Sequence, residues 1–167
     1  SRAMLELTMK GYRTLGWVLK PEVVIEVEPV EQPETCLCCG ASRLHSKGRY
    51  ERQVRHLDLC GRPTRLRVGC RRYQCRVCHR SFVQPLPGIR PGRHSSEPLR
   101  EHVYQQHHDG ICAATLARRR DLGQATVGRI YAQFTERKAK ERLSLDCPTV
   151  LGICLLYTSP SPRDATL

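Results

Sequence analysis

The chain has 167 residues, 40% hydrophobic and only 5% aromatic, so it holds at most two small domains whose modest cores need a staple. Lys and Arg number 28 against 16 Asp and Glu, and a net charge of +12 speaks for a polyanionic partner such as nucleic acid rather than an acidic substrate surface. No run reaches the roughly 20 apolar residues of a membrane span and no apolar secretory stretch opens the chain, so the expected setting is the cytoplasm, with no membrane partner.

Residues 1–32 carry four basic and five acidic side chains and one alternating stretch, Val23, Val24, Ile25, Glu26, Val27, Glu28, ended by Pro29 and Pro33. Period-two alternation of β-branched residues predicts a single strand here, leading into a metal-binding knuckle. Residues 33–95 carry fourteen basic and three acidic side chains and seven of the ten cysteines. An excess that dense destabilises a small domain unless an anion offsets it. Within it, 48–54 and 64–73 alternate in the same way around Cys60, Gly61, Arg62 and Pro63, which predicts a hairpin. In its second strand Arg65, Arg67 and Arg71 share one face, a cationic face expected to make sequence-independent contacts to DNA phosphates, and Leu66, Val68 and Cys70 share the other, while Arg49, Gln53 and Arg55 repeat the polar spacing in the first. Cys60 and Cys70, in or beside these strands, are expected as small core thiols.

Cys36 and Cys39, followed by Gly40, form one CxxC, and Cys75 and Cys78 form another. Cysteines in a reducing compartment point to metal rather than disulfides. Each CxxC turn directs two sulfurs to one point and the hairpin brings the pairs together, which predicts a structural zinc closed by four thiolates. Cys38, His45 and His79 are the alternative ligands by position. Cys112 and Cys147 stand alone.

Pro85, Pro87, Gly88, Pro91 and Gly92 mark a connector, with a boundary near residue 90. Ser95 or Ser96 can cap a helix to about His108, stopped by Asp109 and Gly110, and 111–120 suits a second. From Gln124, the apolar Val127, Ile130, Tyr131 and Phe134 fall at i, i+3, i+4 and i+7, an amphipathic helix continuing to Leu143. The last two helices have the layout of a helix-turn-helix: Leu122 plugs the turn, Gly123 permits its backbone, and Gln124, Ala125, Gly128, Arg129 and Gln133 face outward. Arg and Gln at such positions can pair with guanine and adenine in the major groove, and Arg118, Arg119 and Arg120 suit phosphates. The expected fold is α+β, a small β-hairpin zinc ribbon followed by an α-helical helix-turn-helix domain. Its expected partner is double-stranded DNA; an RNA-associated ribbon is disfavoured because the outward helix face lacks aromatic stacking surface.

In this order, Val-Val-Ile-Glu-Val-Glu-Pro, Cys-Leu-Cys-Cys-Gly, Arg-Arg-Tyr-Gln-Cys-Arg-Val-Cys-His-Arg-Ser-Phe and the helix-turn-helix resemble the N-terminal region of the ISL-three family of bacterial insertion-sequence transposases, over residues 4–153. The resemblance implies a zinc- and DNA-binding region that recognises terminal inverted repeats, followed by a ribonuclease-H-like domain whose carboxylates hold divalent metal. It leaves room for homo-oligomerisation in the full-length parent. It divides the chain into a lead at 1–32, a zinc ribbon at 33–90, a helix-turn-helix at 91–146 and the start of a catalytic domain at 147–153. In the family a Leu-Gly-Ile segment leads into the first catalytic aspartate, whereas Leu151, Gly152 and Ile153 lead here into Cys154. Residues 154–167 read instead as a translated sequencing adaptor. Neither Asp121 nor Asp146 substitutes for the missing carboxylates, so strand cleavage is not expected of these residues. The alternative is an autonomous zinc-ribbon and helix-turn-helix transcription regulator.

Overall fold

Alternation along Val23–Pro29 buries Val23, Ile25 and Val27, and in the computed structural model of the chain, which describes residues 9–19 and 21–143, this segment is a strand of a five-stranded mixed sheet. In chain order the strands are β1 (Tyr12–Val18), β2 (Val23–Pro29), β3 (Leu44–Leu59), β4 (Arg62–Cys75) and β5 (Ser81–Val83). The spatial order is β1-β2-β4-β3, with β5 paired to β4. Residues 1–32 therefore supply two strands where one was expected. β1 pairs antiparallel with β2 through an irregularity between Thr14 and Gly16, and β2 runs parallel to β4, Val23 opposite Thr64.

β3 and β4 form the expected hairpin, longer at both ends. Its loop is only two residues, Cys60 and Gly61, with φ of 51° and 74°. Positive φ at both positions is what a primed turn needs to match the twist of the strands it joins. Cys60 is consequently exposed at the turn, a correction to its expected place in the core, whereas Cys70 is buried. The sheet's inner face gathers Val23, Ile25, Val27, Val54, Leu66, Val68 and Cys70. Leu86 and Ile89 complete this cluster, so two side chains anchor the Pro- and Gly-rich stretch to the sheet while its prolines and glycines stay exposed.

The helices follow the expected boundaries closely. They are α1 (Glu97–His108), α2 (Ala113–Arg119) and α3 (Gln124–Leu143). Ser96 caps α1, its side chain accepting the Leu99 N–H, and Gly110 turns the chain away at φ 100°. Leu99, Val103, Tyr104, Leu116, Val127, Ile130 and Phe134 form a second buried cluster, with Tyr104 stacked on Tyr131 and Phe134 at 5.4 and 5.3 Å. In the turn between α2 and α3 the left-handed residue is Asp121, φ 47°, not Gly123. Gly123 stands instead at the start of α3, its carbonyl accepting the N–H groups of Thr126 and Val127. Residues through Phe134 form one compact unit. The distal turns of α3 form a second, where Lys140 pairs with Glu136 at 2.7 Å across one turn. Asp146, Cys147, Leu151–Ile153 and residues 154–167 lie outside the described residues.

Candidate metal centre and nucleic-acid interface

The two CxxC turns meet at the open end of the β3–β4 hairpin, opposite its tight turn. The Sγ atoms of Cys36, Cys39, Cys75 and Cys78 all lie within 4.8 Å of one another, with 3.7 Å between Cys36 and Cys78 and 3.6 Å between Cys39 and Cys75. A tetrahedral zinc with metal–sulfur bonds of about 2.3 Å has sulfur–sulfur edges of about 3.8 Å, so the four thiols fit the ion. The turns are built alike. The Cys38 N–H points at the Cys36 sulfur and the Val77 N–H at that of Cys75. Just past each pair a residue adopts positive φ, Gly40 at 73° and His79 at 57°. Cys36 N–H then bonds to Ala41 and Cys75 N–H to Arg80, closing both loops.

These N–H groups also prepare the charge. Donors from Cys39 and Cys38 hold the Cys36 thiol down to about 6, and donors led by Cys78 lower that of Cys75. Cys78 is pushed up to about 12: the Arg80 N–H favours its thiolate, but burial and the thiols of Cys39, Cys36 and Cys75 outweigh it. Two ligands thus ionise more readily than a free thiol, and Cys39 and Cys78 less readily. Neither His45 nor Cys38 belongs to the cluster, and His79 contributes backbone geometry only. Four thiolates leave zinc no open position, and its role is structural.

From this centre the hairpin carries a cationic face. The register sets Arg49 opposite Arg71, Gln53 opposite Arg67 and Arg55 opposite Arg65, which places all of them on the side away from Leu66, Val68 and Cys70. Their electrostatic states differ in a way alternation alone does not reveal. Arg65 pairs with Glu22 at 2.9 Å, and Arg67 with Glu26 at 2.9 Å and Glu51 at 3.2 Å. Arg55 reaches Asp121 at 2.6 Å. The Arg71 side chain has no carboxylate partner among the described residues; its backbone N–H donates to the Gln84 side chain and its carbonyl accepts the Gln84 N–H.

The helical candidates separate similarly. Gln124, Ala125, Gly128 and Arg129 are exposed on α3, opposite buried Val127 and Ile130. Arg129 lies back along its helix, donating to the Ala125 carbonyl and to Thr126 Oγ1. Gln133 is half-buried and accepts a 2.5 Å hydrogen bond from buried Arg100. Arg118 and Arg119 are exposed in the last turn of α2. Arg120 is not: its side chain, 14% exposed, bonds Asp58 at 2.5 Å, His102 Nε2 at 2.9 Å and Gln106 at 3.3 Å. That guanidinium is a strut between β3 and α1, and a phosphate role for it would dismantle three contacts. Asp58, His102 and Asp121 carried no sequence signal for this network, because their partners are far away in the chain.

No helix among the described residues is long and apolar enough to cross a membrane. No curated protein and no solved structure matches the chain. Residues 32–78, which contain all four thiol ligands and the whole β3–β4 hairpin, match the family described as the zinc-finger of transposase IS204/IS1001/IS1096/IS1165. With its cluster of four thiols, this part of the chain is a zinc ribbon of the type found in IS204/ISL3 transposases.

Proposed function

We propose that the chain is the DNA-recognition part of an insertion-sequence transposase and binds duplex DNA at the element's terminal inverted repeats. The observation that carries this is the company kept by the transposase-type zinc ribbon: α3, within the same compact unit, exposes Gln124, Ala125, Gly128 and Arg129 along one side of its first two turns. Small residues at 125 and 128 let a helix approach base edges, while Gln124 and Arg129 supply the donors and acceptors that discriminate them. α2, the short turn and α3 then act as a helix-turn-helix, with Arg118 and Arg119 beside the groove to take phosphates. The zinc acts at a distance, by holding the hairpin that carries the sheet's arginines.

Gel retardation with labelled terminal repeats and scrambled duplexes of equal length tests the reading. Binding to the repeats that is salt-dependent and tighter than binding to scrambled DNA is the expected result. Equal affinity for both would remove sequence recognition, and no retardation at low salt would remove DNA binding.

A further inference from the structure

Arg49 and Arg71 face each other directly across the β3–β4 ladder, and neither guanidinium has a carboxylate partner among the described residues. Like charges directly opposite each other destabilise a sheet. The same face compensates its other arginines. Arg55 and Arg65 are also cross-strand partners, yet Asp121 and Glu22 neutralise them, and Arg67 has two glutamates. Among the described residues, only the 49–71 rung leaves the repulsion without a counter-charge, although a nearby acid exists: Glu28 pairs with Arg13 at 3.0 Å instead.

The rung lines a depression of about 460 Å³, bordered also by Gly69, Gln32, Gln84 and the Arg13–Glu28 pair, whose carboxylate is already neutralised by its own arginine. Gly69 keeps the depression open, and neither backbone nor crowding requires glycine there. Its φ is not in the left-handed region, and an added Cβ would meet only the Val27 carbonyl at 3.8 Å, an ordinary contact. One wall is fixed by Gln84, nearly fully buried, which accepts the Arg71 N–H at 3.3 Å and donates to the Glu31 carbonyl at 2.7 Å. Two forked guanidinium groups on a fixed rung, over an uncluttered floor, suit a tetrahedral anion that accepts from both.

We propose that Arg49 and Arg71 together grip a backbone phosphate of the bound duplex, making this rung, rather than Arg65 and Arg67, the sheet's phosphate contact. The inference rests on the DNA-binding reading and names the part of the nucleic acid that the sheet holds. Arg65 and Arg67 are already neutralised by carboxylates that a phosphate would have to displace. The 49–71 pair gains a counter-charge on binding and loses none.

The experiment measures affinity of the full chain for duplex DNA by fluorescence anisotropy across a salt series. Arg49→Gln and Arg71→Gln should each lower the slope of log affinity against log salt by about one unit, equally on terminal-repeat and random duplexes, while Arg65→Gln leaves it unchanged. Gly69→Val, which fills the depression without altering charge, should weaken binding to both duplexes alike. In the absence of DNA, Arg71→Gln should raise the melting temperature by relieving the rung, and Arg65→Gln should lower it by breaking the Glu22 pair. A wild-type slope in the Arg49→Gln, Arg71→Gln double variant would overturn this inference and leave DNA binding standing. A wild-type chain that binds no duplex would overturn both.

Discussion

His56 Nδ1 lies 2.8 Å from Ser96 Oγ, joining the end of β3 to the cap of α1 through two buried side chains. Ser96 Oγ also accepts the Leu99 N–H at 3.4 Å, so one hydroxyl serves the helix and the sheet at once.

Ser96→Ala should therefore lose more than a cap. Removing an N-cap serine costs about 1 kcal/mol, and a buried imidazole nitrogen left without its partner adds about 1 kcal/mol or more. We expect a loss of about 2 kcal/mol in urea denaturation, and Ser96→Thr, which keeps the hydroxyl, should recover most of it. A loss confined to a few tenths would show that His56 finds another partner.

Acid should weaken the fold through two histidines. Burial lowers the affinity of His56 for a proton; burial, and then the charge of Arg120, do so for His102. Arg120 can only donate, so the Nε2 of His102 that it contacts must be unprotonated. Both histidines bind protons more readily in the unfolded chain, so their stabilisation is present above the ordinary value of 6.5 and is lost as pH falls through the lower folded values. Denaturation of zinc-loaded protein between about pH 7 and 5 should show stability falling. His102→Gln, which keeps an acceptor for Arg120 but does not titrate, should flatten the dependence.

The three consecutive arginines should behave differently. Arg120→Ala leaves Asp58 and His102 without their donor and should cost about 2 kcal/mol of stability. Arg118→Ala and Arg119→Ala should leave stability within about 0.5 kcal/mol and instead weaken binding to all duplexes. Thermal melts and anisotropy on the same three proteins check this; similar melting losses in all three would mean that α2 is held differently.

Arg129→Ala should cost about 1 to 3 kcal/mol of discrimination at one base position while leaving binding to random duplexes nearly unchanged. A panel of single-site substitutions in the terminal repeat locates that position. Equal losses on every duplex would assign Arg129 to the phosphates.

Cys75→Ser should reduce bound zinc from one ion per chain to none by elemental analysis. Hydrogen exchange should then show lost protection at 36–46 and 73–83, where the two turns close the hairpin, while α1 and α3 keep theirs. Loss of protection throughout the helices would show that the metal sustains both clusters.

The elements that local chemistry dictates were legible in the sequence. The paired CxxC turns, the alternation at Leu66, Val68 and Cys70, the Ser96 cap and the stripe at Val127, Ile130 and Phe134 all stand where spacing puts them. What escaped was long-range. β1 turns Thr14 and Gly16 inward and Leu15 and Trp17 outward, so its apolar residues do not mark its buried face, and β5 has only three residues. The parallel pairing of β2 with β4 leaves no periodic trace, because a strand's pattern reports burial and not its neighbour. The same limit hid the division among the arginines. Alternation puts Arg65, Arg67 and Arg71 on one face, but the glutamates that neutralise the first two come from β2 and its lead-in and from β3.

The β2–β4 pairing also orders events during synthesis. Val23 finds its partner only at Thr64, so β1 and β2 leave the ribosome as an isolated two-stranded ribbon, too small to be stable alone. Val23, Ile25 and Val27 stay wet until β4 emerges, and one edge of β2 is open to another nascent chain meanwhile. The β3–β4 hairpin can close on its two-residue turn as soon as Cys75 and Cys78 emerge. Capture of zinc at that moment would present β4 as a finished template for the waiting β2. Zinc-starved cells should then accumulate aggregated chain even though the ion touches neither β1 nor β2.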